Sequence, residues 1–295
     1  MGHLTAQSGL RPVISIGFSP CPNDTYIFNG LVHNHVGIDG VDLRPEVLAD
    51  VETLNEWALE GRLDITKLSF HALGHVTNDY VLLRSGSALG YGCGPLLVAG
   101  RTVDRAQVAG LTVAIPGSYT TAAALLKMYA PAADRLVVMR FDEIMPAIAD
   151  AKVDCGVIIH ESRFTYRQAG LQLVEDLGAW WETETGCAIP LGCIAAKRSL
   201  GREVIARIDN AVRASVRWAR LHPDQGRDYI RQHAQELDDK VIQEHIQLYV
   251  THFTEDIGAE GLAAIETFMA RGRAAGLLPS AAGSLTCRDM RAVSM

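Results

Sequence analysis

The sequence predicts an α/β protein built as two similar halves around a central cleft. Three observations carry that reading. A strand, loop and helix order that begins near Val13 returns from Leu111; one apolar strand in each half ends on a polar residue, Ser69 or His160; and two further apolar stretches, near residues 97–101 and 190–197, are placed to cross between the halves. Alternating strands and helices gather their loops at the carboxyl edges of the sheets, and a cleft between two such edges is the ordinary place for a small-molecule site.

In the first half, residues 13–18 read as an apolar strand, followed by a tight loop from Ser19 to Asp24 and a helix over 25–32. Pro20 and Pro22 argue against helix before Asn23, so Asn23 or Asp24 is the expected N-cap. Residues 41–47 form a second strand candidate, Asp50 opens a helix over 51–60, and Gly61 closes it. Residues 63–69 give a strand that ends on Ser69, with a short helix from Phe70; Lys67 lies within it, where a strand lysine is ordinarily solvated but can also meet an anion. Strands over 80–84 and 95–99 flank the glycine-rich stretch 86–94. No helix pattern follows those glycines, which excludes a dinucleotide-binding fingerprint.

The second half repeats the order. Residues 111–115 are a strand, Pro116 to Thr121 a tight loop, and 122–129 an Ala/Leu-rich helix; 136–141 is a strand, Asp142 caps the next helix, and a strand starting at Val153 runs to His160. Val157, Ile158 and Ile159 make a continuous apolar run, the pattern of a central parallel strand covered on both faces, and it stops at a titratable ring. Residues 171–174 and the strand 191–196 follow, the latter returning to the first half. Helices are expected over 202–221, from Asp224, from Asp239 and over 258–275, with a loosely ordered tail from Pro279. The resulting division is 1–98 with 196–295 as a larger domain, and 99–195 as a smaller inserted one.

A net charge of −7 with no basic block argues against nucleic acid as a partner. An anionic small molecule must then be captured locally, and the helix N-termini expected at Asn23 and at Thr120-Thr121 offer backbone N–H groups for it. Thr120 can equally be no more than a helix cap. The first dozen residues lack a basic start and apolar core, and no apolar run approaches the roughly 18 residues of a membrane span, so the cytoplasm is the expected compartment. The six cysteines contain no C-x-x-C pair, and His71 and His75, although at helical i, i+4 spacing, have no attendant Glu or Cys; reduced thiols, a surface or groove histidine pair and no metal are expected.

Five motifs carry a resemblance to a known family. They are Ser19-Pro20-Cys21-Pro22-Asn23-Asp24-Thr25, Asp50-Val51-Glu52-Thr53-Leu54-Asn55, Thr66-Lys67-Leu68-Ser69, Thr120-Thr121-Ala122, and the run from Ile158 through His160-Glu161-Ser162-Arg163 to Tyr166. In this order the chain resembles the 1,4-dihydroxy-6-naphthoate synthases of the futalosine route to menaquinone. That resemblance implies a type II periplasmic-binding-protein-like fold, two α/β domains joined by a two-strand hinge. It implies a lyase acting on cyclic dehypoxanthinylfutalosine, without a cofactor, with His160 as the base and Lys67, Leu68, Ser69, Thr121 and Ala122 binding substrate. Ser19, Asn23, Thr120 and Glu161 are further candidates for the cleft. The sister chorismate dehydratases share the fold but are not expected to carry the Ile-Ile-His-Glu-Ser-Arg run. A binding protein that only captures an anion is the alternative, weakened by the absence of a signal peptide.

Overall fold

The computed structural model describes residues 11–234, 238–280 and 283–287. Two mixed sheets face each other. The first has the strand order Val47–Leu48, Ile16–Phe18, Ile65–Ser69, Ile189–Lys197, Tyr80–Leu82, with Ala88–Gly90 bonded to the start of Ile189–Lys197. The second has the order Leu136–Val138, Val113–Ile115, Cys155–Ile158, Leu96–Ala99, Gln172–Asp176. Within each, the three strands joined by helical crossovers are parallel. The strands that arrive from the other half run antiparallel: Ile189–Lys197 against Ile65–Ser69, and Leu96–Ala99 against Cys155–Ile158. The purely parallel sheets expected from the strand and helix order are therefore mixed, because a chain crossing from one half enters the other sheet at its opposite end.

Prolines account for two local departures from the expected elements. The strand expected over 41–47 is split into Asp42–Leu43 and Val47–Leu48, with Pro45 between them. Helix Pro22–Val32 starts three residues early, with Cys21 as its N-cap and no side-chain cap bond. A proline in the first helical position has no N–H to lose there, so Pro22 begins the helix rather than delaying it. Asn23 and Asp24 consequently lie in the first turn, both buried. Asp50 caps Val51–Leu59 as expected, accepting from the N–H groups of Glu52 and Thr53.

The C-terminal helices brace the first sheet. Arg202–Leu221 buries Ile205, Ile208, Val212 and Val216, and its Ser215 hydroxyl donates to the Ile27 carbonyl (2.6 Å). Helix Asp239–Tyr249 turns Ile242, His245, Ile246 and Tyr249 inward, a stripe at i, i+3, i+4 and i+7. The tail was expected to be loose from Pro279, yet Leu285 accepts from the Leu82 N–H (2.9 Å) and the Gly283 N–H donates to Thr77 (2.9 Å). Leu285 is thus tied to the first sheet and Gly283 to the end of helix Phe70–Val76, bonds that the Ala, Gly and Ser composition does not announce. Residues 281–282 and 288–295 of the tail lie outside the described residues.

The two halves meet at the loop from Pro116 to Thr121. Glu52, on the helix Val51–Leu59, accepts from the Tyr119 N–H (2.9 Å) and from Asn55 (2.9 Å). Thr121 donates to the Leu191 carbonyl (2.7 Å), and the buried His71 ring binds the carbonyls of Thr120 (3.3 Å) and Leu277 (3.2 Å). His71 and His75 are paired, their rings 5.2 Å apart, but His71 is buried rather than exposed, and its approach to the Thr120 carbonyl ties it to the other half. Gly117 packs directly on Glu52, where a Cβ would sit 2.3 Å from the carboxyl carbon. Gly117→Ala should force the loop away from Glu52 and give a less compact particle in solution scattering. An unchanged scattering profile would show that this contact does not hold the halves together.

Candidate active site

The site begins with the register of two strands. Ile16–Phe18 and Ile65–Ser69 are parallel neighbours, with Ile16 opposite Ile65 and Gly17 opposite Thr66, so the loop after Phe18 lies beside Lys67. Lys67 is buried, not solvated, and its ammonium is paired with the buried Asp24 carboxylate. The remaining lone pairs of Asp24 are met by the Ser19 hydroxyl (2.7 Å) and the Asn23 amide (2.9 Å). A buried pair of this kind persists because every charge and lone pair has a partner.

Asn23 carries the network onward. Its NH2 group faces Asp24, so its carbonyl oxygen is the acceptor for His245 Nε2 (2.9 Å) and the His245 proton is assigned to Nε2. The His245 ring lies 6.1 Å from that of His160 and within 18° of parallel to it. His245 is fully buried, and burial holds it well below the usual histidine range, helped by the neighbouring His160 and Lys67 charges.

His160 sits just past the strand. Cys155–Ile158 ends two residues before it, and the chain turns at His160 with φ of 56°, in the left-handed region. The strand expected to run through to His160 stops short because this backbone conformation cannot continue a ladder. A non-glycine residue there is strained and is kept in place by its surroundings. Those surroundings are the Phe141 ring, edge-on at 5.0 Å, and His245. Enclosure pushes the His160 pKa down to about 4, opposed by Asp24 and assisted by Lys67. At neutral pH the ring is therefore uncharged, with a lone pair available to a proton.

His160 opens on a cleft of about 80 Å³ between the two sheets. Ser19, Asn23, Lys67, Ser69, Thr120, Thr121 and Ala122 line it with His160. The side chain of Leu68 does not: strand alternation turns it into the core. Ser69 is held by Asn55, whose amide donates to its hydroxyl (3.2 Å) and whose oxygen accepts from its N–H (2.9 Å). Thr120 caps helix Thr121–Tyr129, leaving the first N–H groups of that helix without intrahelical acceptors. Glu161 is buried beside His160 with Cys21, and ligand atoms of the three residues lie within 4.8 Å of one another.

The residues that sequence reasoning passed over are Asp24 as an ion-pair partner, Cys21, His245 and the cleft-lining Tyr249. His245 had a legible signal, since it occupies the apolar stripe of an amphipathic helix. Tyr249 shares that stripe, and Cys21 and Asp24 lie within the first motif, but their pairing with distant residues had no local signal. Lys67→Met should destabilise the fold by about 3–5 kcal/mol by leaving Asp24 charged and buried. Adding Asp24→Asn to it should recover part of that loss in urea unfolding. If the double variant is no more stable than the single, the pair is not the source of the effect.

A family model described as menaquinone biosynthesis matches residues 14–274. A curated protein of Thermus thermophilus named 1,4-dihydroxy-6-naphthoate synthase is 52% identical over 264 residues, covering 90% of this chain and 95% of its own. One of the same name from Streptomyces coelicolor is 45% identical over 273 residues with the same coverage, 90% and 95%. Among solved structures, a protein of Archaeoglobus fulgidus superposes with a TM-score of 0.85 at 32% identity, covering 90% of this chain and 98% of its own. The periplasmic aliphatic sulphonate binding protein SsuA of Escherichia coli, at 12% identity and a TM-score of 0.62, covers 93% of this chain and 90% of its own and shows the fold alone. The type II periplasmic-binding-protein-like fold is thus established, and the chain belongs to the menaquinone-biosynthesis family of enzymes.

Proposed function

We propose that this enzyme is a lyase that converts cyclic dehypoxanthinylfutalosine to 1,4-dihydroxy-6-naphthoate in the cytoplasm, with His160 as the base. The observation that carries the reading is a histidine held in a left-handed turn just past Cys155–Ile158 and bordering the cleft, where burial pushes its pKa down. His160 takes a proton from carbon next to an activating group, the carbon–carbon bond to the sugar-derived fragment breaks, and the second ring becomes aromatic. Aromatisation supplies the driving force, so the reaction as written moves no electrons to or from a redox group. A positioned base of this kind contributes roughly 10²–10⁴ in rate.

Substrate anchoring follows from what the other groups are already doing. The Lys67 charge is matched by Asp24, so in this reading the substrate carboxylate is received by the N–H groups that open helix Thr121–Tyr129, with Ser69 taking a hydroxyl. The two sheets with their helices are the bodies that close on the substrate and exclude water from the base.

His160→Asn should fold and bind, because asparagine tolerates the left-handed backbone, yet lower kcat by roughly 10²–10⁴ in an assay of naphthoate formation. Turnover near the parent rate would send the search for the base elsewhere in the cleft. Absence of turnover in the parent protein itself would favour capture without chemistry.

The pH dependence has a definite sign. The His160 pKa lies below the ordinary 6.5, so the base form persists as pH falls past 6.5 and is lost only near 4. The acid limb of kcat/KM should therefore sit closer to 4 than to 6.5. Between those values the unfolded chain binds a proton that the folded chain does not, so stability should decline as pH falls through that window. His160→Asn should show a shallower decline in urea titrations; an identical slope would mean that His160 is not the group responsible.

A further inference from the structure

Cys21, His160 and Glu161 meet at a corner that the proposed reaction uses only through His160. We propose that this corner is a binding site for a thiophilic divalent cation such as Zn²⁺ or Cd²⁺, ligated by Cys21 Sγ, a ring nitrogen of His160 and a carboxylate oxygen of Glu161. Cys21 comes from the N-cap of helix Pro22–Val32, and His160 and Glu161 from the turn after Cys155–Ile158, so two rigid elements bring the donors together.

The geometry is close to what such a cation needs. The three ligand atoms lie within 4.8 Å of one another. Tetrahedral zinc with bonds of roughly 2.0–2.3 Å places neighbouring ligand atoms roughly 3.3–3.8 Å apart, so rotations of the thiol and carboxylate that shift these atoms by about 1 Å complete the set. His160 borders the cleft, which leaves the fourth position to water or a ligand. One sulfur, one nitrogen and one oxygen donor favour zinc or cadmium over magnesium or calcium.

The charges also balance. Binding forms one metal–sulfur, one metal–nitrogen and one metal–oxygen bond and releases the Cys21 proton to solvent; no electron is transferred. The thiolate and the Glu161 carboxylate together offset the 2+ charge. The nearby ammonium of Lys67 is already matched by Asp24 and sets up no net repulsion.

Occupancy would take the lone pair of His160. Cation binding itself stands on the geometry, whereas its effect on turnover rests on the reading of His160 as the base. The test is a Cd²⁺ titration of the full chain, followed by the ultraviolet sulfur-to-cadmium charge-transfer band. The band should saturate at one equivalent in the parent and in Cys187→Ser, and disappear in Cys21→Ser. Glu161→Gln and His160→Asn should each bind at least about tenfold more weakly, the effect of losing one ligand. A band that survives Cys21→Ser, no band in the parent, or undiminished affinity in Glu161→Gln and His160→Asn would overturn the site. Zn²⁺ should inhibit naphthoate formation in competition with substrate and be reversed by a chelator. Cys21-dependent binding without inhibition would uphold the site and overturn the assignment of His160 as base.

Discussion

The Lys67–Asp24 pair is the interaction on which the rest of the site depends. It joins the first turn of helix Pro22–Val32 to the neighbouring strand Ile65–Ser69 and orients Ser19 and Asn23 through the remaining lone pairs of the carboxylate. Asn23 then fixes the tautomer of His245, whose ring lies behind His160. Removing either member of a fully buried pair leaves the other charged and unsolvated, so the network stands or falls as a unit. The electrostatics at His160 follow from the same pair: Asp24 and Lys67 act on the ring with opposite signs, and enclosure decides the outcome.

Much of this architecture was legible along the chain because it is local. Asp50 as a cap and Gly61 as a terminator depend on neighbours a few residues away and stand as read, while the strand expected to run through Ile159 to His160 ends at Ile158. The motifs also marked the segments that line the cleft. Illegible were the relations set by long-range packing: the burial of Lys67 by Asp24, the approach of His245 to Asn23, and the convergence of Cys21 on Glu161. Pro22 misled for a different reason, since a proline breaks a helix interior but suits its first position. Pro45 broke a strand that the apolar pattern alone could not divide.

The fold shared with solute-binding proteins suits chemistry as well as capture. Two sheets with helix N-termini at their edges give a cleft that offers backbone N–H groups before any catalytic group is added. In this chain the proposed addition is a single ring, His160, placed by a left-handed turn past the edge of one sheet. Asn, Asp and Gly are the replacements that the backbone at 160 accepts with least strain, while a β-branched residue would disturb the turn together with the chemistry.

The strand Ile189–Lys197 carries one more consequence. Its pairing with Ala88–Gly90 shifts register between Pro190 and Gly192, and Pro190 has no N–H to give the ladder. Leu191, the residue inside that shift, is the one whose carbonyl Thr121 grips from the opposite half. The contact between the halves therefore falls on the strand at the residue where its ladder to Ala88–Gly90 is irregular.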